Sequence, residues 1–126
     1  MGAKRRRIVN YLKRHNIHIA FLQETHMTQE GLAGMRKTWP GQIHGTSFSA
    51  FARGVLVWLA REVPYVVSSH TIDIYGRFVI LEGALDGSPM AFAAVYAPNT
   101  NLSSFLDKLS PALLQDPNVP MLWGGD

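Results

Sequence analysis

Three polar clusters in this 126-residue chain each close an apolar run. Glu24 follows Ile17-His18-Ile19-Ala20-Phe21-Leu22-Gln23, Tyr96 to Asn99 follow Met90 to Val95, and Asp126 follows Leu122-Trp123-Gly124-Gly125. Acidic residues that are remote in sequence but sit at the ends of neighbouring core strands are how a fold assembles a hard-cation site. Mg²⁺ takes oxygen ligands, usually one or two carboxylates completed by water and a substrate phosphate. Competing chemistries lack their patterns: no His pair has zincin spacing, no Gly-rich loop precedes a helix, and no Gly-x-Ser-x-Gly elbow occurs. The absence of cysteine excludes disulfides and thiolate metal sites. Metal-assisted phosphodiester chemistry is what survives. Taken singly, each cluster has a plainer reading: a solvated Glu at a strand end, an aromatic with its hydroxyl in water, an Asx-type turn after Pro98.

Such residues need strands to carry them. The run ending at Glu24 reads as a strand buried on both faces. Alternation places His18, Ala20, Leu22 and Glu24 on one face, and Ile17, Ile19, Phe21 and Gln23 on the other. Residues 4–15 read as an amphipathic helix, with Ile8, Val9 and Leu12 inward and Asn16 as a left-handed cap. The cluster Lys4-Arg5-Arg6-Arg7 opposes the helix macrodipole by about 0.3–1 kcal/mol per charge, so helix stability does not explain it. It is a solvated basic face, or a phosphate-contacting or nuclear-localisation patch. A second helix is predicted from Thr28, its N-cap, to Trp39, where Pro40-Gly41 stops it.

Residues 42–48, 54–60, 65–71, 77–85 and 90–96 are rich in β-branched and aromatic side chains and predict an antiparallel meander, with a hairpin at Asp86-Gly87. A helix capped by Asn101 or Ser103 carries Phe105, Leu106, Leu109, Leu113 and Leu114; Pro111 is expected to kink or split it behind Ser110. Residues 119–123 form a last buried strand. Strands with helices at intervals predict α/β or α+β layering, helices outside the sheets.

Composition places these elements in one domain. The chain is 47% hydrophobic and 17% charged, which is globular, and no apolar run approaches the ~20 residues of a membrane span. Residues 8–15 are too polar for a secretory leader, so a nuclear or cytoplasmic protein is expected. A net charge of +3 and a pI near 9.5 favour an acidic partner such as nucleic acid.

Leu22-Gln23-Glu24-Thr25-His26, Val95-Tyr96-Ala97-Pro98-Asn99 and Gly124-Gly125-Asp126, in this order, resemble the endonuclease/exonuclease/phosphatase superfamily. The form is similar to the endonuclease domain of non-LTR retrotransposons, in which a basic helix runs into a Leu-Gln-Glu-Thr-His strand. The resemblance implies an α+β fold, a deoxyribonuclease-like four-layer α/β/β/α sandwich of which this chain makes roughly the first half. It implies that Glu24 binds Mg²⁺ (or Mn²⁺), which neutralises charge on a scissile phosphate. Tyr96 matches a tyrosine whose phenol contacts that phosphate, Asn99 the residue that holds its loop, and Asp126 the aspartate that positions or deprotonates the attacking water. Arg77 resembles a family arginine near the phosphate. His26 belongs to the motif, but the family's catalytic histidine comes later, so a local hydrogen bond is expected of it.

Elements the resemblance calls for have no match. A first strand bringing an Asn to the metal, the Asn two residues after Asp126, and the later Asp-x-Asn and Ser-Asp-His elements are absent from these residues. The expectation is a truncated domain spanning 1–126, inactive alone, whose partners are DNA and a C-terminal half or reverse-transcriptase region of a longer polyprotein. Two rivals stay open: a non-catalytic basic nucleic-acid-binding module, and a superfamily branch acting on inositol phosphates or phospholipids.

Overall fold

The computed structural model describes residues 3–23, 25, 28–46, 54–98, 101–113 and 118–125. Helix α1, Ala3–Arg14, ends as its sequence demands. Asn16 takes φ 52°, and the N–H groups of Asn16 and Ile17 donate to the carbonyls of Lys13 (3.2 Å) and Leu12 (3.0 Å). This Schellman closure satisfies the last carbonyls and turns the chain back along the helix into β1, Ile19–Gln23. Helix α2, Gln29–Thr38, starts where Thr28 Oγ1 accepts the Gly31 N–H at 3.1 Å. Strands β2, Gln42–Thr46, and β3, Val55–Leu59, complete a sheet of order β1-β3-β2, antiparallel throughout.

The second sheet holds β4, Tyr65–Ile72, β5, Phe78–Leu85, β6, Ser88–Val95, and β7, Met121–Gly125, in that spatial order. The first three form antiparallel hairpins. Helix α3, Leu102–Leu113, carries the chain over so that β7 runs parallel to β6. At the β5–β6 hairpin Asp86 and Gly87 both take positive φ, 50° and 83°, as a two-residue primed turn requires.

Alternation along β3 builds two cores at once. Leu56 and Trp58 pack with Val9, Leu12, Leu32 and Met35 of the helices. Val55, Val57 and Leu59 face Val79, Leu81, Phe92 and Ala94 of the second sheet. All five β3 side chains are fully buried, and each contributes about 1.5–3 kcal/mol by leaving water. On the far side of the second sheet Phe78, Ile80, Ala93 and Val95 pack against Phe105 and Leu109 of α3. The result is an α+β sandwich with layers α/β/β/α, as the resemblance implied. Among the described residues no helix is long and apolar enough to cross a membrane.

Several expectations are corrected. The meander breaks after β3, because both edges of β3 are taken by β1 and β2. The turn at Arg61-Glu62 therefore sends the chain to the other sheet, where the Pro64 carbonyl accepts the Asp86 N–H. Strands β1 and β7 are not buried on both faces: β1 is half-buried throughout, and Leu122 and Trp123 of β7 are exposed. Both are edge strands among the described residues. The last strand also starts later than expected and continues through both glycines. Helix α3 runs through Pro111, which lies exposed near its C-terminal end, where the carbonyl left without a donor can be hydrated. Leu106 faces solvent, not the core. Phe48 and Leu114 lie outside the described residues.

Candidate active site

Backbone hydrogen bonds tie the end of β1 to the end of β6. The Thr25 N–H donates to the Gly54 carbonyl, the Gly54 N–H donates to the Gly76 carbonyl, and the Tyr96 N–H donates to the carbonyl of Arg77 at 2.7 Å. Gly54 and Gly76 take φ of 99° and 74°, so the relay passes through two left-handed positions that suit glycine. The exit of β7 joins the same edge, since Val95 and Gly125 are register partners in parallel strands.

Packing explains the two glycines before Asp126. A Cβ at Gly124 would stand 3.0 Å from the Phe21 ring, and one at Gly125, with φ 138°, would overlap the Val95 carbonyl. Glycine at 124 lets β7 lie against β1 across the sandwich, and glycine at 125 lets the strand close onto β6. The exits of β1, β6 and β7 thus share one edge.

Of the residues singled out in the sequence, Glu24, His26, Asn99 and Asp126 lie outside the described residues, as do the side chains of Lys4 and Arg5. Tyr96 and Arg77 are brought together: the Arg77 Cζ sits 5.1 Å from the Tyr96 ring centroid. Arg6 and Arg7 are exposed on α1. Arg7 and Leu22 line the same apolar depression of about 500 Å³. The first half of α1 therefore lies beside the end of β1. Thr25 is buried, and its hydroxyl has no hydrogen-bond partner among the described residues.

One organising residue was not foreseen. Asp73 is only 3% exposed, yet it anchors the β4–β5 connection. Its carbonyl accepts the Gly76 N–H and the Thr46 hydroxyl, its Oδ2 accepts the Arg77 N–H at 3.1 Å, and its Oδ1 accepts from Lys108 Nζ at 2.7 Å. Asp at the first and Gly at the fourth position of a turn is a readable signal. The reach of Lys108 across 35 residues is not. Beside this turn lies a cavity of about 420 Å³ lined by Tyr75, Arg77, Pro98 and Lys108 among others.

The described residues do not themselves bring together three His, Cys, Asp or Glu side chains able to hold a metal. Asp73, the buried carboxylate nearby, is already engaged by Arg77 and Lys108. The fold brings the chain neighbours of Glu24 and Asp126, Gln23 and Thr25 on one side and Gly125 on the other, to one edge of the molecule.

No family model matches the chain. Over 122 residues, 94% of its length, it is 28% identical to the Transposon TX1 uncharacterized 149 kDa protein of Xenopus laevis, and covers 9% of that protein. The fold is similar to D. rerio TDP2 complexed with single-strand DNA product, with a TM-score of 0.66 at 16% identity, covering 97% of this chain and 52% of that one. TDP2 from Caenorhabditis elegans gives 0.64 at 18% identity, covering 97% and 41%. Its truncated form gives 0.63 at 19% identity, covering 97% and 53%. The chain spans about half or less of these structures and a small part of the transposon protein.

Proposed function

We propose that this chain, built on the endonuclease/exonuclease/phosphatase fold, is the N-terminal part of a metal-dependent DNA-nicking phosphodiesterase of the retrotransposon kind. The observation that carries the reading is the shared edge of the β1, β6 and β7 exits, linked by the Thr25–Gly54–Gly76 relay and by the Tyr96–Arg77 bond. In this reading Glu24 holds Mg²⁺ or Mn²⁺, which when bound neutralises charge on the scissile phosphate. Tyr96 donates its phenolic hydrogen to a phosphate oxygen. Arg77 steadies that ring and adds positive charge beside it. Asn99 holds the loop after Tyr96, and Asp126 orients or deprotonates the attacking water. The exposed Arg6 and Arg7, with Lys4 and Arg5, attract the DNA backbone, and the site of action is nuclear or cytoplasmic.

Residues 1–126 by themselves bind DNA but do not cut it. The superfamily's later Ser-Asp-His element, which the resemblance implies at the scissile phosphate, has no match in them, and losing one electrostatic stabiliser alone typically costs 10²–10³ in rate. Incubation with supercoiled plasmid in Mg²⁺, paired with a DNA-binding assay at low salt, tests this. Binding without nicking is expected. Nicking abolished by Glu24→Ala in equally folded protein would overturn the inactivity, and absence of DNA binding would overturn the nucleic-acid reading.

The exposed cations of α1 favour one second reading, a basic module that binds nucleic acid without any cation site. DNA binding that ignores both Mg²⁺ and Glu24→Gln would select it.

A further inference from the structure

The cavity beside Arg77 opens between the β4–β5 connection and α3, and its lining includes Asp73, Tyr75, Arg77, Ser104 and Lys108. Lys108 stands at its wall with a side chain 49% exposed, its Nζ 2.7 Å from Asp73 Oδ1 and 4.7 Å from the Tyr75 ring centroid. Asp73 is buried, and its other oxygen holds the backbone N–H of Arg77. One carboxylate thus fixes the Lys108 ammonium and the backbone of Arg77. Half-exposed ion pairs add little stability, and burying a carboxylate is costly, so the effect of this arrangement is positional. It keeps an ammonium at the ring of Tyr75, which is itself 52% exposed. An ammonium has three donors, and Asp73 Oδ1 takes one.

An exposed aromatic ring with a fixed ammonium against it, and an arginine in the same lining, is the combination that seats a single-stranded nucleotide, base on the ring and phosphate on the charge. A volume of about 420 Å³ falls within the ~300–1,000 Å³ of small-ligand pockets. Arg77 lines this cavity and also lies over Tyr96, so the cavity adjoins the candidate active site. We propose that it binds the nucleotide adjoining the scissile phosphate on a single-stranded stretch, with its base stacked on Tyr75 and its phosphate on Lys108. This rests on the reading that Tyr96 faces a phosphodiester. A base stacked within a duplex has no free face for Tyr75, so single-stranded nucleic acid is the occupant.

Fluorescence anisotropy of a labelled 12-nucleotide oligothymidylate with the 126-residue chain, across a salt series, tests it. Tyr75→Ala is expected to weaken binding roughly five- to a hundredfold, the worth of one stacked base, while Tyr75→Trp retains it. Lys108→Met should weaken binding and reduce the slope of log affinity against log salt by about 0.7, one phosphate contact on a single strand. A duplex of equal length should be indifferent to Tyr75→Ala. Because Lys108→Met leaves the Asp73 carboxylate buried without its ammonium and can unfold the chain, the exposed Tyr75 pair decides the matter if it does. Wild-type binding that Tyr75→Ala leaves unchanged overturns the cavity and leaves the phosphodiesterase reading standing. So does an equal loss on duplex. Failure of the wild-type chain to bind any oligonucleotide overturns both.

Discussion

The Arg77 guanidinium covers the Tyr96 ring, its Cζ 5.1 Å from the centroid, while the Arg77 carbonyl accepts the Tyr96 N–H at 2.7 Å. One residue therefore positions the tyrosine through both backbone and side chain. Arg77→Ala should weaken oligonucleotide binding and reduce its salt slope by about 0.7 on single strands. Arg77→Lys should recover the slope but not the full affinity, since an ammonium cannot stack as a planar guanidinium does. An unchanged slope in Arg77→Ala would remove this arginine from the phosphate's surroundings.

The glycines before Asp126 make distinguishable predictions in urea denaturation. Gly125→Ala combines a strained φ of 138° with overlap of the Val95 carbonyl, and should destabilise by about 2 kcal/mol or more. Gly124→Ala meets only the Phe21 ring, a side chain on an edge strand that can shift, and should cost about 1 kcal/mol or less. The reverse order would contradict the close approach of β7 to β6 at Val95.

Stability should fall on mild acidification because of His44. Burial, then the charges of Arg36 and His70, hold its pKa below 6.5. The unfolded chain takes up that proton first as pH drops. The stability contributed by the neutral ring is thus complete above pH 6.5 and is lost as pH falls from there through the lower folded value. Melting temperatures from pH 8 to pH 5 should decline, and His44→Asn should flatten part of that decline. An identical profile in the variant would assign the effect to other groups.

Strand β7 leaves Leu122 45% and Trp123 59% exposed on an edge that no described strand covers. Such an edge invites pairing between molecules. Sedimentation of the 126-residue chain should reveal self-association, or binding of a hydrophobic dye, and Trp123→Lys should diminish both. A clean monomer with a sharp cooperative melt would count against this.

Much of this was legible because local chemistry determined it. Thr28 and Asn16 cap their helices where their side chains and backbone preferences require, Asp86-Gly87 forms the expected hairpin, and alternation along β1 sends Ile19 and Phe21 to the sheet interface and Ala20 and Leu22 to the helices. What escaped depends on partners distant in sequence. Nothing within residues 54–72 says that β3 and β4 belong to different sheets; that follows from β1 having already occupied the other edge of β3. The exposure of Trp123 likewise depends on which strands flank β7, not on its own run of apolar residues. At the site, the strand exits could be read from where apolar runs stop. The tether from Asp73 to Lys108 could not, because it joins a turn to a helix 35 residues later.

The central claim is that Glu24, Tyr96 and Asp126 surround one divalent cation and one phosphate. Substoichiometric Mn²⁺ added to the ¹⁵N-labelled chain tests it through paramagnetic broadening of backbone amides. The amides of Thr25, Tyr96 and Gly125, which flank or belong to the three exits, should broaden together, and Glu24→Gln should abolish the effect at all three. Broadening confined to one exit, or surviving Glu24→Gln, would contradict the account.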